Sequence, residues 1–204
     1  LRGNLHSLTE ELGILKPLLP DDLPSWLWWN GPLDTANNLF LKLSKIPFRL
    51  VIDSALGDPN NIVDFLIKHV ESGQAVNDLN WLRLRSWRET LAMVFDPPNR
   101  RISLDHVVRL DLDIEGNHHV QGLLLAAWIA DRLDWQLTTA YQKESGNIYA
   151  EFIRPDKAII RLSLISLPIG NPSIHPGQIV AVPLPDKLQD LLDSRHAAPN
   201  EHIA

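Results

Sequence analysis

Between Leu23 and Gly73, apolar runs of strand length alternate with apolar stripes of helical spacing, and this constrains the fold more than any other feature. "LPSWLWWNG" sets Trp26 and Trp28 on one face of an extended segment and Leu27 and Trp29 on the other, with Asn30-Gly31-Pro32 as its stop. Two apolar faces predict a central strand of a parallel sheet. Asp34 or Thr35 can then cap a helix carrying Ala36, Leu39, Phe40 and Leu43, and "RLVIDSA" reads as a second strand. Asn60 and Asn61 open "IVDFLIKHVES", whose stripe of Ile62, Phe65, Leu66 and Val70 ends at Gly73. The order is βαβα.

Further on, "HVVRLDLDIEG" alternates Val108, Leu110, Leu112 and Ile114 inward with Arg109, Asp111, Asp113 and Glu115 outward. Its polar face places this strand near a sheet edge. After Gly116, with Asn117 as cap, "NHHVQGLLLAAWIADRLDW" reads as a helix, apolar almost all round from Leu123 to Ile129 and therefore buried. From Gln136 the texture changes. "QLTTAYQ", "NIYAEFI" and "AIIRLSLISL", separated by Gly146 and by Pro155-Asp156, predict an antiparallel meander. A proline-rich passage, a last strand "QIVAVPL" and a short helix from Asp186 to Arg195 follow.

The expected fold is α/β, with a mostly parallel sheet flanked by helices in the first two-thirds and an antiparallel meander in the last third. Residues 1–204 read as a single α/β domain, with a βα-rich half over 1–135 and a β-rich half over 136–204, divided near Gln136. There is no internal repeat. A start at Leu1 rather than Met, with no signal-peptide pattern, fits a C-terminal part of a longer protein.

A formal net charge of -6 gives no basic footprint, which argues against nucleic acid and against an anionic membrane as partners. The longest apolar run, Leu123 to Ala130, is too short to span a bilayer. With no cysteine the chain forms neither a disulfide nor a thiolate metal site, which suits a reducing cytoplasm, the expected localisation.

Asp111, Asp113, Glu115 and Gly116 occupy the first, third, fifth and sixth places of an EF-hand loop, but Gly122 stands where that loop needs a bidentate Glu. The adjacent His118 and His119 cannot share a helical face as paired zinc ligands do. No metal is expected. Ser54 follows a strand end, yet no nucleophile elbow, Rossmann or P-loop glycine pattern surrounds it. Neither a catalytic residue nor a cofactor is expected.

"DLNWLRLRSWRE" has a readable local grammar. Ser86 and Glu89 form a capping box that starts a helix at Trp87, with Trp87, Leu91, Val94 and Phe95 as its buried stripe and Pro97-Pro98 as its end. Arg85 and Arg88 then sit at the positive end of the helix dipole, where an anion must offset them. Glu89 or Asp78 can do so, as can a partner's carboxylate or a bound phosphate, and pairing within the chain is the default. Trp81 lies off the stripe, and an aromatic among arginines is typical of protein interfaces.

"LLPDDLPSWLWWNG", "RLVIDSA", "DLNWLRLRSWRETLAMVFDPP" and "LLLAAWIADRLDW", in this order, resemble the C-terminal region of the OpcA family, the glucose-6-phosphate dehydrogenase assembly proteins of cyanobacteria and actinobacteria. The resemblance runs from about Leu19 to Trp135. It implies a non-enzymatic effector that binds glucose-6-phosphate dehydrogenase, promotes its active oligomer and raises its response to glucose 6-phosphate, feeding the oxidative pentose phosphate pathway. Family members under thioredoxin-linked control use cysteines, which this chain lacks, and where the family commonly shows Thr-Pro this chain has Arg85-Ser86. The residues placed on the partner surface are Trp81, Arg83, Arg85 and Arg88. The alternative is a sensor of sugar phosphates or nucleotides, with a crevice formed by Asn30, Gly31, Asp53 and Ser54 and an anion site near Arg85 and Arg88.

Overall fold

A computed structural model of the chain describes residues 24–33, 38–44, 49–168 and 177–183. Two compact units divide between Arg83 and Leu84. Among the described residues the first carries three parallel strands, β1 (Trp26–Trp28), β2 (Arg49–Ile52) and β3 (Val76–Asp78), in the order β1-β2-β3. Helix α1 (Asn38–Ser44) links β1 to β2, and α2 (Pro59–Glu71) links β2 to β3. A short helix, α3 (Leu79–Arg83), follows β3 directly.

Leu39, Phe40 and Leu43 of α1, Leu50 and Ile52 of β2, and Ile62 and Phe65 of α2 form the core of this unit. Phe40 is its hub, with ring centroids 4.9 Å from Trp29 and 5.1 Å from Phe65. The cap of α2 is Asp58, whose Oδ1 accepts from the backbone N–H groups of Asn60 and Asn61 while Pro59 takes the first helical position. Asn60 and Asn61 therefore lie inside the first turn, and Val70, expected in the stripe, is exposed.

β1 corrects the expected central strand. β2 is central, β1 hydrogen-bonds to it in parallel register, and Trp26 and Trp28 are 55% and 65% exposed. The guanidinium of Arg49 lies 5.4 Å from the Trp26 ring centroid, a cation–π contact that partly shields the exposed indole. The expected caps Asp34 and Thr35, Ala36, residues 169–176 of the proline-rich passage and the helix over 186–195 lie outside the described residues.

The second unit begins with α4 (Arg85–Phe95), α5 (Pro98–Arg101) and a 3₁₀ turn (Ile102–His106). Its sheet has five strands: β4 (Arg109–Glu115), β5 (Gln136–Gln142), β6 (Ile148–Ile153), β7 (Ile159–Leu167) and β8 (Ile179–Ala181). Helix α6 (Val120–Arg132) joins β4 to β5. The order is β5-β6-β7-β4-β8. β4 runs parallel to β7, and the other pairs are antiparallel.

The meander appears as expected. β4 lies one strand in from the edge, and Leu110, Leu112 and Ile114 face the core. Of its flanking expectations two differ: Val108 is exposed, and Glu115 is buried, its backbone tied to the residues before β8 by Glu115 N–H to the Gln178 carbonyl at 2.9 Å and Gly177 N–H to the Glu115 carbonyl at 2.6 Å. Gln136 begins β5, but the β4–β7 pairing places chain from both sides of it in one sheet.

Helix α6 buries Val120, Leu125, Ala126 and Ala130 but leaves Ala127 exposed and Trp128 and Ile129 half-buried, so it is covered on one side rather than all round. Its cap is His119 in helical backbone geometry, with no side-chain capping bond, in place of Asn117. The expected capping box at Ser86 is likewise absent. A box needs its serine in extended backbone at the boundary, whereas the helix already begins at Arg85 and Ser86 lies within its first turn. Trp87 is half-buried, and no residue of α4 is fully buried.

His119 gives this unit a pH dependence. The residue is 3% exposed with Nε2 2.9 Å from Ser166 Oγ, and burial first, then the neighbouring His118, lowers its pKa below the ordinary 6.5. The unfolded chain binds a proton as pH drops below that value while the folded chain does not, so stability falls with pH. The contribution is complete above about pH 6.5 and is lost as pH falls through the depressed value. Thermal midpoints measured from pH 7.5 downward are expected to fall less steeply in His119→Gln than in the parent. Equal slopes would remove His119 from this role.

Candidate functional site

The carboxyl ends of parallel strands are where open α/β sheets gather ligands. In the first unit the ends of β2 and β3 carry Asp53, Ser54 and Asp78, with Asn80 and Arg83 one turn further on in α3. All of these except Arg83 are buried.

Asp78 is the centre. Its Oδ1 accepts from the backbone N–H of Ser54 at 2.9 Å and of Asn80 at 3.0 Å, and its Oδ2 accepts from the Ser54 hydroxyl at 2.7 Å. The bond to Asn80 is a helix cap: Asp78 satisfies an orphan donor in the first turn of α3. The Asn80 side-chain amide donates to Ser54 Oγ at 3.1 Å, closing the network. Ser54 is fully buried, its hydroxyl donating to a carboxylate and accepting from an amide. This is the bonding of a structural serine.

Asp53 takes the other direction. Arg83 grips it in a two-pronged pair, Nη1 to Oδ1 at 2.8 Å and Nη2 to Oδ2 at 2.5 Å, with the Asp53 side chain 12% and that of Arg83 42% exposed. The hydrogen bond to Asp53 and the charges of Asp53 and Asp78 raise the Arg83 pKa against the opposing effect of burial. Asp53 Oδ1 also accepts from Ala55 N–H at 3.1 Å, which shapes the turn after β2. The three-residue strand β3 and the α3 start fix this geometry by bringing residues about 25 to 30 positions apart side by side.

Of the expected crevice, then, Asp53 and Ser54 are committed to bonds with α3 and its cap, while Asn30 is exposed and Gly31 half-buried after β1. Trp81 is half-buried in α3. Asp78 and Asn80 were not among the expected site residues. Their signal was the Asp-x-Asn start of a helix at the end of a strand, too brief to separate from the arginine-rich stretch behind it.

In the second unit, Arg85 at the start of α4 donates from Nε to Glu89 Oε1 at 2.7 Å, one helical turn on, and both side chains are largely exposed. Arg88 is half-buried on the same helix. Glu89 thus supplies the anion that the helix start requires. On β4, Arg109 pairs with Asp111 at 2.7 Å, as befits a solvated strand face. Among the described residues no group of three or more His, Cys, Asp or Glu side chains is placed to hold a metal ion, and no helix is long and apolar enough to cross a membrane.

Two family models cover nearly the whole chain. Residues 1–66 match the glucose-6-phosphate dehydrogenase subunit N-terminal domain, and residues 74–200 match the corresponding C-terminal domain. Three cyanobacterial relatives bear the name OxPP cycle protein OpcA. The one from Nostoc punctiforme is 35% identical over 90% of this chain and 40% of its own length. That from Synechocystis is 29% identical over 90% and 39%, and that from Synechococcus elongatus 31% over 93% and 43%. The chain therefore spans about 40% of the length of these relatives. A match to both domain models, carried by a chain with the strand–helix order and arginine-rich segment already described, shows that it belongs to the OpcA family of glucose-6-phosphate dehydrogenase assembly proteins.

Proposed function

We propose that the chain is part of a non-enzymatic effector that binds glucose-6-phosphate dehydrogenase, promotes its active oligomer and activates it allosterically, supplying the oxidative pentose phosphate pathway. The observation that carries this reading is the match of both halves of the chain to the dehydrogenase-subunit family models. The chemistry of the first unit is in keeping with it. Ser54 and Asp53, the groups at the strand end where an enzyme would expose a nucleophile or base, are engaged by Asp78, Asn80 and Arg83.

The partner contact is assigned to Arg85 and Arg88 in the second unit and to Trp81 in the first. Arg85 is the most readily re-paired of these, because its i,i+4 ion pair with Glu89 is exposed and screened by solvent and a partner carboxylate can replace it. Arg83 is assigned to the same contact: Asp53 holds it on two prongs, and its side chain remains 42% exposed. Charge reversal in the double variant Arg85→Glu/Arg88→Glu is expected to weaken capture of the dehydrogenase by about tenfold or more, since like charges now face the partner's carboxylates. A pull-down with the purified dehydrogenase, alongside a thermal melt to verify folding, checks this. Unchanged capture by a folded double variant would remove these arginines from the interface.

A further inference from the structure

The second unit contains a cavity of about 450 Å³ that takes no part in the contacts just assigned. Its walls are apolar and partly aromatic, built from Leu91 and Phe95 of α4, Leu110 of β4, Trp128 and Ile129 of α6, and Trp135. Trp135 and Leu110 are buried at less than a tenth exposure, whereas Leu91, Phe95, Trp128 and Ile129 remain half-buried. Volume and lining are those of a small-molecule cleft.

The charged residues on the lining supply the chemistry of the ligand. Three are guanidinium groups, Arg101, Arg109 and Arg132, and one is a carboxylate, Asp96. On a protein whose net charge is -6, this cavity carries a local positive excess over an apolar interior. Arg101 and Arg109 are oriented by the fold, the first donating from Nη2 to the Asp96 carbonyl at 3.1 Å and the second from Nε to Asp111. A guanidinium has five donors, so each retains capacity for a further acceptor.

We infer that this cavity binds a small amphipathic anion, with an alkyl or aryl body seated against Leu110, Trp128 and Trp135 and a terminal carboxylate or phosphate held by Arg132 with Arg101 or Arg109. The apolar body gains by leaving water, and the anionic end keeps charge-assisted hydrogen bonds near the solvent. A small inorganic anion lacks the first contribution and a neutral alcohol lacks the second.

Isothermal titration with octanoate, 1-octanol and inorganic phosphate separates the two contributions. Octanoate is expected to bind the 204-residue chain saturably with one site, 1-octanol about tenfold more weakly, and phosphate without saturation. Arg132→Gln, an exposed substitution that leaves the walls intact, is expected to lower octanoate affinity about five- to tenfold and to leave 1-octanol unchanged. Ala92→Phe, which fills the cavity from α4, is expected to abolish binding of both. Equal binding of octanoate and 1-octanol, octanoate binding that survives in Arg132→Gln at full strength, or no saturable octanoate binding at all would each overturn the assignment.

Discussion

Replacing Asp78 with alanine is expected to destabilise the first unit by about 3–5 kcal/mol, because three donors lose one buried acceptor at once. The Ser54 backbone N–H, the Ser54 hydroxyl and the Asn80 backbone N–H all point at this carboxylate. Each buried donor left without a partner costs about 1–3 kcal/mol, and relaxation of the short α3 recovers part of the total. Asp78→Asn keeps the shape and one acceptor oxygen and is expected to cost roughly half as much. Ser54→Ala, which takes one donor from Asp78 and one acceptor from the Asn80 amide but leaves both backbone N–H bonds to the carboxylate, should be milder still. Chemical denaturation of the three variants and the Asp78→Ala/Ser54→Ala double variant measures the coupling between the two side chains. If Asp78→Ala costs less than about 1 kcal/mol, the network is not what joins β2, β3 and α3.

The second large effect is expected at Gly177, where Gly177→Ala should cost the second unit about 2–4 kcal/mol. Its φ of +90° lies in the region that side chains disfavour, and a Cβ placed there would stand 2.3 Å from the carbonyl oxygen of His118. That oxygen belongs to the backbone just before α6, so rotation of a flexible side chain offers no relief. The displaced segment is the one that carries the Gly177 N–H to Glu115 and Gln178 to Glu115 N–H bonds, so β8 loses its alignment with β4. Gly73→Ala is the control: φ is +74°, but nothing lies within 4 Å of its added Cβ. Denaturation curves should show Gly177→Ala as clearly worse than Gly73→Ala, and equality would mean that the backbone angle alone, not the close approach, sets the cost.

Residues with strong local patterns were legible in the sequence. The period-two alternation of β4 and the stripe of Ile62 and Phe65 each reflect a face that the fold then buries, and Gly146 and Pro155-Asp156 mark the turns between the antiparallel strands. β3 was not legible, since three residues are too few to show a period and its identity comes from pairing with β2. Ser86 and Glu89 have the spacing of a capping box, but the helix starts two residues earlier than that box requires and Glu89 serves Arg85. Trp26 and Trp28 looked like core because size and apolarity suggest burial, while strand order, which decides it, is a property of the sheet.

For the site, sequence supplied the individual residues but not their partners. Asp53 and Arg83 were both singled out, yet for different surfaces, and it is the adjacent ends of β2 and β3 that make them one ion pair. Asp78, an expected counter-ion for Arg85 and Arg88, accepts hydrogen bonds from Ser54 and Asn80. Ionic partners thirty residues apart leave no periodic signature, so only the fold reveals them.

The proposed function is activation of glucose-6-phosphate dehydrogenase by a protein that catalyses no reaction itself. Its most direct test is the dehydrogenase rate as a function of glucose 6-phosphate, measured with and without a molar excess of the full-length protein, with the 204-residue chain as a parallel arm. The account predicts a curve shifted to lower substrate concentration by the full-length protein, weakened by Arg85→Glu/Arg88→Glu and accompanied by a larger dehydrogenase oligomer on sedimentation. Superimposable curves at every ratio of full-length protein to dehydrogenase would contradict it.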